Sequence, residues 1–350
     1  MHRALEVLFE EVLTFRLPDG TPLDGSVFIG ETELVPVRVL QGDAAAYSTE
    51  FDAWLGEVWL PRQSELRDQI LALHGNAKRY DDLCATVARR QLVPVVGSGM
   101  SASSGLPTWS ELLRKIRTFT KVNEAELDEL LKKSAFEEAA DLLAMGTNPN
   151  LLNERIEHEL RIDDPGLIDG SVRLLPVIFP DMVITTNLDD LLEQHYSLCG
   201  TGFDHVLAGR ELARFRQLRG QADRFLLKLH GDCRRPDSRV LLKAEYEKAY
   251  EVGSVIYEEL ALLYRTHNLL FLGCSLGPDR TVRLVSEIAK DDKNMPKHYG
   301  FLRRPGCDEE RIDRENFLTE RQIYPIWYDG DHDECNMALL AGLFEEIDKQ

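Results

Sequence analysis

No stretch of about 18 uncharged apolar residues occurs in the 350-residue sequence, which excludes a hydrophobic membrane-spanning helix. The opening Met1-His2-Arg3-Ala4-Leu5-Glu6 meets an acidic side chain at once and lacks the apolar core and cleavage site of a secretory signal. Cysteine is sparse: six residues, at 84, 199, 233, 274, 307 and 335, with no C-x-x-C pair. Disulfide frameworks and zinc ribbons both need closer spacing, so free thiols in a reducing cytoplasm are expected, with no metal. Positive charge is in deficit, 41 Lys and Arg against 60 Asp and Glu, for a net charge of −19. That balance argues against a general nucleic-acid surface, and the local cluster Arg234, Arg235 and Arg239 does not reverse it. Internal repeats and low-complexity segments are absent too. Neither a membrane nor a nucleic acid is expected as a direct partner.

What remains is the composition of a globular protein, 43% hydrophobic and 29% charged, long enough for one large α/β domain and an appendage. Residues 1–80 differ in pattern from the rest. Leu17-Pro18-Asp19-Gly20-Thr21 signals a turn, and Ser26–Ile29 and Glu33–Leu40 read as strands, the second an edge strand because of Pro36. Ser48 resembles a helix N-cap, with Trp54, Leu55 and Trp59 on the apolar face, and a further helix is expected from Ser64 to His74, closed by Gly75. No chemistry-bearing constellation occurs here, so a small α+β appendage used in assembly or partner contact is expected.

Residues 81–350 alternate helix and strand. Near-continuous apolar runs occur at 92–96, 182–186, 204–207, 225–229, 268–272, 298–302 and 323–328, separated by helical patterns. Such runs imply a Rossmann-like, mostly parallel sheet with helices on both faces, an α/β fold. Residues of about 124–160 carry only helical periodicity and read as an insertion lying over the sheet.

In a parallel sheet, ligands bind outside the carboxyl ends of the strands. The first run stops at Gly97-Ser98-Gly99, followed by Ser101 and Gly105-Leu106-Pro107, a glycine turn suited to an anion at a helix N-terminus. The dinucleotide spacing G-x-G-x-x-G is not met, since Gly105 comes too late. A second run ends in Thr185-Thr186-Asn187-Leu188-Asp189-Asp190, a third in His230-Gly231-Asp232 and a fourth in Gly273-Cys274-Ser275-Leu276-Gly277. Four strands that all switch to small, polar or titratable residues favour one shared site.

These four patches, in this order, resemble the sirtuin superfamily over roughly residues 85–330. The glycine turn is similar to its nicotinamide-dinucleotide loop, and Thr186-Asn187-Leu188-Asp189 to its asparagine-x-aspartate motif. His230-Gly231 resembles its histidine-glycine pair, and Gly273-Cys274-Ser275-Leu276 its glycine-x-serine-leucine. Two departures stand out. The four-cysteine zinc ribbon of the protein deacylases has no room between Asp232 and Ser238, so no zinc is expected. Thr108, Trp109 and Ser110 stand where those enzymes carry aspartate, an aromatic and arginine. The helical insertion at about 124–160, the Lys243-Ala244-Glu245-Tyr246 segment and the closing Trp327-Tyr328 run resemble the zinc-free, bacterial defence-type branch, whose members hydrolyse NAD⁺ during phage infection.

The resemblance implies NAD⁺ as substrate, cleaved to nicotinamide and ADP-ribose. Asn187 would position the ribose hydroxyl and the attacking water, although a helix N-cap would also suit an asparagine there. His230 would be the general base, with an ordinary pKa of about 6.5. Asp189 would take the nicotinamide carboxamide, or merely complement a helix dipole. Ser98, Ser101 and the Gly97 and Gly99 backbones would cradle the pyrophosphate, with Gly105, Thr186, Gly273 and Ser275 completing the dinucleotide site. An unregulated enzyme of this kind is toxic, so a homo-oligomer and an activating protein, such as a motor ATPase or an Argonaute-type protein, are implied. The alternatives are a module that senses NAD⁺ or ADP-ribose without turnover, and a deacylase or ADP-ribosyltransferase.

Overall fold

The computed structural model describes residues 3–14, 27–29, 32–34, 36–220, 224–277, 280–291 and 295–349. Nine strands are present in that set: β1 (Val27–Ile29), β2 (Thr32–Leu34), β3 (Leu92–Val96), β4 (Met182–Thr185), β5 (His205–Ala208), β6 (Phe225–Lys228), β7 (Asn268–Leu272), β8 (His298–Arg303) and β9 (Ile323–Tyr328). The last seven form one sheet in the order β5-β6-β4-β3-β7-β8-β9, and each neighbouring pair is parallel. The expected Rossmann-like α/β architecture is therefore the one observed. β3 and β7 are buried along nearly their whole length, as a sheet covered on both faces requires.

One apolar cluster on the sheet joins Leu92, Val96, Leu226 and Leu270 to the C-terminal helix His332–Asp348 and to Phe9, Phe51, Trp54 and Ile70 of the N-terminal helices. The other joins Val93, Ile184, Leu227 and Phe271 to helices Val255–Thr266 and Arg280–Asp291. A third is built by helices Trp109–Arg117, Glu124–Lys132, Phe136–Met145 and Pro149–Leu160. It takes in Leu188, Cys233 and Leu241 from the loops after β4 and β6, so the helical segment expected at 124–160 sits over the carboxyl end of the sheet.

Several N-terminal expectations are corrected. β2 stops at Leu34, and Pro36 opens a helix, Pro36–Gln41, instead of interrupting an edge strand. Proline's fixed φ and missing N–H suit a first helical position, where no N–H partner is needed. The next helix starts at Ala44, because the Asp43 carboxylate accepts the N–H groups of Ala45 and Ala46, each at 3.1 Å. Ser48 therefore lies within it. Trp54–Trp59 winds as a π-helix, and Leu60–Leu71 follows, ending before His74. Gly75, at φ 75°, precedes helix Asn76–Ala88. The turn expected at Leu17–Thr21 lies outside the described residues.

The outer edge of β9 is occupied by side chains. Asn76 donates to the Trp327 carbonyl at 2.7 Å and accepts the Trp327 N–H at 3.0 Å, while Arg79 donates to the Pro325 carbonyl at 2.8 Å. Asn76 thus supplies the donor and acceptor that a neighbouring strand would supply.

Candidate active site

The four marked strand ends belong to β6, β4, β3 and β7, which are consecutive across the sheet. Because every pair is parallel, all four loops emerge on one edge. The chain leaves β3 toward β4 and returns on the other side as β7, so the β3–β7 junction is the topological switch point where such sheets bind ligands.

Glycine builds that junction by close approach. A Cβ on Gly97 would stand 2.5 Å from the Gly273 carbonyl oxygen, and one on Gly273 would stand 2.5 Å from the Met100 nitrogen. Gly273 also sits at φ 63°, a region costly for other residues. The Gly97 N–H donates to the Leu272 carbonyl at 2.8 Å and the Gly99 N–H to the Gly273 carbonyl at 3.1 Å. The two N–H groups are thus spent on joining the strand ends, and the glycines contribute room rather than donors. The turn continues as short 3₁₀ segments, Ser98–Met100 and Ala102–Ser104, and the α-helix begins only at Trp109. Thr108 and Glu111 cap that helix reciprocally, with the Glu111 carboxylate on the Thr108 N–H at 2.8 Å. The dipole expected to face an anion at Gly97–Gly99 is therefore ten residues away and already holds a carboxylate. Gly105 is exposed at φ 79°, with nothing near its missing side chain, and closes the turn without meeting the other candidates.

The β4 loop faces this turn. The Asn187 N–H donates to the Thr185 hydroxyl at 2.9 Å, which donates to the Val96 carbonyl at 2.8 Å. The Asn187 amide nitrogen donates to the Ser101 hydroxyl at 3.1 Å, and Ser101 donates to the Asp189 carboxylate at 3.1 Å. All three are buried. Asn187 is no helix cap: helix Leu191–Leu198 begins after Asp190, and Asn187 binds across to the glycine turn instead. With its nitrogen pinned, the amide oxygen is the group free to meet a water or a hydroxyl. Burial raises the Asp189 carboxyl above the usual carboxylate range, against the pull of Lys228, the Leu191 N–H and Ser101.

His230 leaves β6 next to the β4 loop. Burial pushes its imidazole down to about 4, while a hydrogen bond to the Thr186 backbone works the other way, so it is neutral near pH 7. Its Nε2 lies 2.7 Å from the Tyr250 hydroxyl, and Tyr246 and Tyr250 pack edge-on to its ring. Gly231, at φ 89°, lets the chain turn against Ser238, whose carbonyl oxygen would stand 2.2 Å from a Cβ there. On the far side of the junction Ser275 is exposed, and its carbonyl accepts from Arg314. The basic residues noted beside this site are mostly engaged: Arg234 pairs with Asp190, and Arg235 with Glu211 at 2.7 Å.

Sequence reasoning gave no site role to Lys228, Tyr246 or Tyr250. Lys228 is fully buried, and its ammonium reaches Glu193 at 2.6 Å, Asp232 at 3.0 Å and the Asp189 carbonyl at 2.7 Å. Burial disfavours its charge, but the carboxylates of Glu193 and Asp232 prevail and hold it protonated. A lysine inside the apolar run Phe225-Leu226-Leu227-Lys228-Leu229 was the available signal. Tyr250 is 20 residues from His230 and carried none.

Residues 181–326 match the family model of the SIR2-like domain. This stretch is similar to a SIR2-like domain. The sirtuin resemblance drawn from four strand ends is thereby borne out; the match runs from β4 into β9 and takes in three of those ends, while the glycine turn lies well upstream of it, before the helical segment. Among curated proteins the chain is 28% identical over 216 residues to NAD(+) hydrolase ThsA of Cytobacillus dafuensis, covering 59% of this chain and 40% of that one. It is 25% identical over 235 residues to the protein of that name from Enterococcus faecium, 66% of this chain and 47% of that one. The match to the Acinetobacter baumannii protein is 26% over 215 residues, 59% and 41%. The chain thus spans less than half the length of the curated relatives it matches. Among the described residues no group of three or more His, Cys, Asp and Glu could hold a metal ion. No helix among them is long and apolar enough to cross a membrane.

Proposed function

We propose that this chain hydrolyses NAD⁺ to nicotinamide and ADP-ribose. The observation that carries the reading is the union of two loops on adjacent parallel strands: Asn187, tied through Ser101 to Asp189, beside a neutral His230. The three NAD(+) hydrolases among its relatives support it. In the reaction the bond from the ribose C1′ to the pyridinium nitrogen breaks, and its electron pair returns to a neutral nicotinamide. The leaving group therefore needs no proton. Water forms the new C1′–O bond and gives up one proton, for which His230 is the acceptor. The Asn187 amide oxygen orients the water or a ribose hydroxyl, and a closed, preorganised site stabilises the oxocarbenium-like charge. Asp189 holds Ser101 and with it the asparagine, and its proximity to the same edge suits a nicotinamide carboxamide. Gly97, Ser98, Gly99, Ser101, Thr186, Gly273 and Ser275 line the dinucleotide's path.

In the cell this activity is that of a cytoplasmic effector of antiphage defence acting by NAD⁺ depletion. It is held back until an activating partner or assembly of copies releases it, with residues 1–80 as the contact for that event. Incubating the purified protein with NAD⁺ and following nicotinamide release tests the reading. Asn187→Ala and His230→Ala should stay folded and release none. Binding of NAD⁺ without release, with and without assembly partners, would replace the hydrolase by a sensor. Release that requires an acylated peptide would make it a deacylase.

A further inference from the structure

Both ring nitrogens of His230 are engaged inside the protein. Nε2 lies 2.7 Å from the Tyr250 hydroxyl and Nδ1 3.5 Å from the Tyr246 hydroxyl. A neutral imidazole has one N–H and one acceptor nitrogen. In the tautomer that carries its N–H on Nδ1, Nε2 is the acceptor, and the Tyr250 hydroxyl, 2.7 Å away, donates to it. The Tyr246 hydroxyl meets the other nitrogen, Nδ1, at 3.5 Å, a longer and weaker contact. The nitrogen that must take a proton during hydrolysis is thus occupied by a phenol of the same chain.

We propose that Tyr250 is an internal competitor for the substrate at His230. Its hydroxyl holds the acceptor position that a ribose hydroxyl or the attacking water of bound NAD⁺ must take, and it swings aside when the dinucleotide enters. The inference rests on the hydrolase reading, in which His230 is the base.

The location of Tyr250 permits this motion. It caps helix Lys243–Ala249 with non-helical dihedrals, φ −106° and ψ 10°, and its N–H donates to the Tyr246 carbonyl at 3.0 Å, so a rotation of its side chain alone leaves the helix in place. Glu251, Val252 and Gly253 after it are exposed, and Gly253 is a glycine at φ 85° with open space around it. Helix Val255–Thr266 then restarts independently on its own cap, Ser254. Tyr246, one turn earlier, is buried against the same ring and stays as the fixed wall. Tyr250 is only half-buried. The fold therefore places a firm aromatic wall beside a looser one, and the looser one makes the short hydrogen bond to the base.

The test is Tyr250→Phe, which keeps the ring and removes the donor, with Tyr246→Phe alongside and melting curves to confirm folding. Calorimetry with ADP-ribose, which keeps both riboses, should show affinity about two- to tenfold higher in Tyr250→Phe, the worth of one hydrogen bond no longer broken. Tyr246→Phe should change it less. NAD⁺ turnover should rise by a similar factor, and His230→Ala in the Tyr250→Phe background should remove the gain. In the wild type, saturating ADP-ribose should shift the ¹⁵N resonance of His230 Nε2. Unchanged or weaker ADP-ribose binding in Tyr250→Phe overturns the proposal, as does an Nε2 signal indifferent to ligand. Unchanged affinity with lost turnover would make Tyr250 a proton relay, which also overturns it. Absence of nicotinamide release from every variant would defeat the hydrolase reading alone, since the ADP-ribose measurements still decide on Tyr250.

Discussion

The Lys228 ammonium lies 2.7 Å from the backbone carbonyl of Asp189, and it fastens two strand ends together. The same ammonium holds Asp232, two residues beyond His230, and Glu193 on the helix after the β4 loop. One buried cation therefore sets the spacing between the loop carrying Asn187 and the loop carrying His230. Removing it leaves two buried carboxylates unpaired, a loss of about 3–5 kcal/mol by the usual cost of breaking a buried pair. Lys228→Met should lower both the melting temperature and NAD⁺ turnover. Combining it with Glu193→Gln and Asp232→Asn should restore much of the stability but not the turnover. Full activity in that triple variant would show that the lysine serves folding alone.

Ser101 is the bridge between Asn187 and Asp189. Ser101→Ala should cost only about 1 kcal/mol of stability, the net worth of a hydrogen bond or so. Its effect on turnover should be larger, about tenfold or more, because the asparagine amide loses the partner that fixes its orientation. Steady-state kinetics with a denaturation curve separates the two effects.

The β3–β7 junction tolerates no side chain at its glycines. Gly97→Ala should drive the strand ends apart, at a cost of about 1–3 kcal/mol for overpacking, and weaken NAD⁺ binding. Gly105→Ala makes the informative contrast: nothing crowds that position, and only its positive φ resists substitution. It should cost about 1 kcal/mol through backbone conformation and leave NAD⁺ binding near the wild-type value.

Acid should act on this protein through neutral histidines. Burial pushes His230 and His195 down to about 4 and His298 down to about 3. In the unfolded chain each would take up a proton below about pH 6.5, while the native state refuses it until near 4 or lower. Stability is therefore lost as pH falls from about 6.5 toward 4, at up to about 1.4 kcal/mol per pH unit for each histidine. The raised carboxyls of Asp189 and Glu193 work in the opposite sense, since the native state takes up their protons first. Urea melts between pH 7 and 5 should show the net decline, reduced in His298→Gln. For turnover, the acid limb of kcat/KM should fall near pH 4. A limb near 6.5 would mean that His230 is not the base in its buried state.

Sequence periodicity and residue chemistry located most of the sheet and all four loops, because buried parallel strands are apolar along their length and turn polar where they end. The same logic misled at Pro36 and Ser48, where local capping chemistry, not hydrophobic pattern, decides what the chain does. It also put a helix dipole at Gly97–Gly99, since nothing in the spacing distinguishes a short 3₁₀ turn from a first α-helical turn. The site's second layer was out of reach for a different reason. Tyr250 meets His230, and Ser101 meets Asn187, only through tertiary folding, and no spacing along the chain encodes which residue will arrive there.

The side chains lying along β9 bear on how copies of this protein can combine. An uncovered edge strand is an invitation to a strand from another chain. Here Asn76 and Arg79 already satisfy the backbone at Trp327 and Pro325, and the proline has no N–H to give. A second copy cannot extend the sheet past β9 by strand addition without first evicting the Asn76–Ala88 helix, whose Tyr80 hydroxyl is itself bonded to the Leu339 carbonyl at 2.6 Å. At this side of the molecule, growth into continuous β-ribbons is closed off, and any neighbour must be met by helical surfaces, whose side chains can select one partner and refuse another.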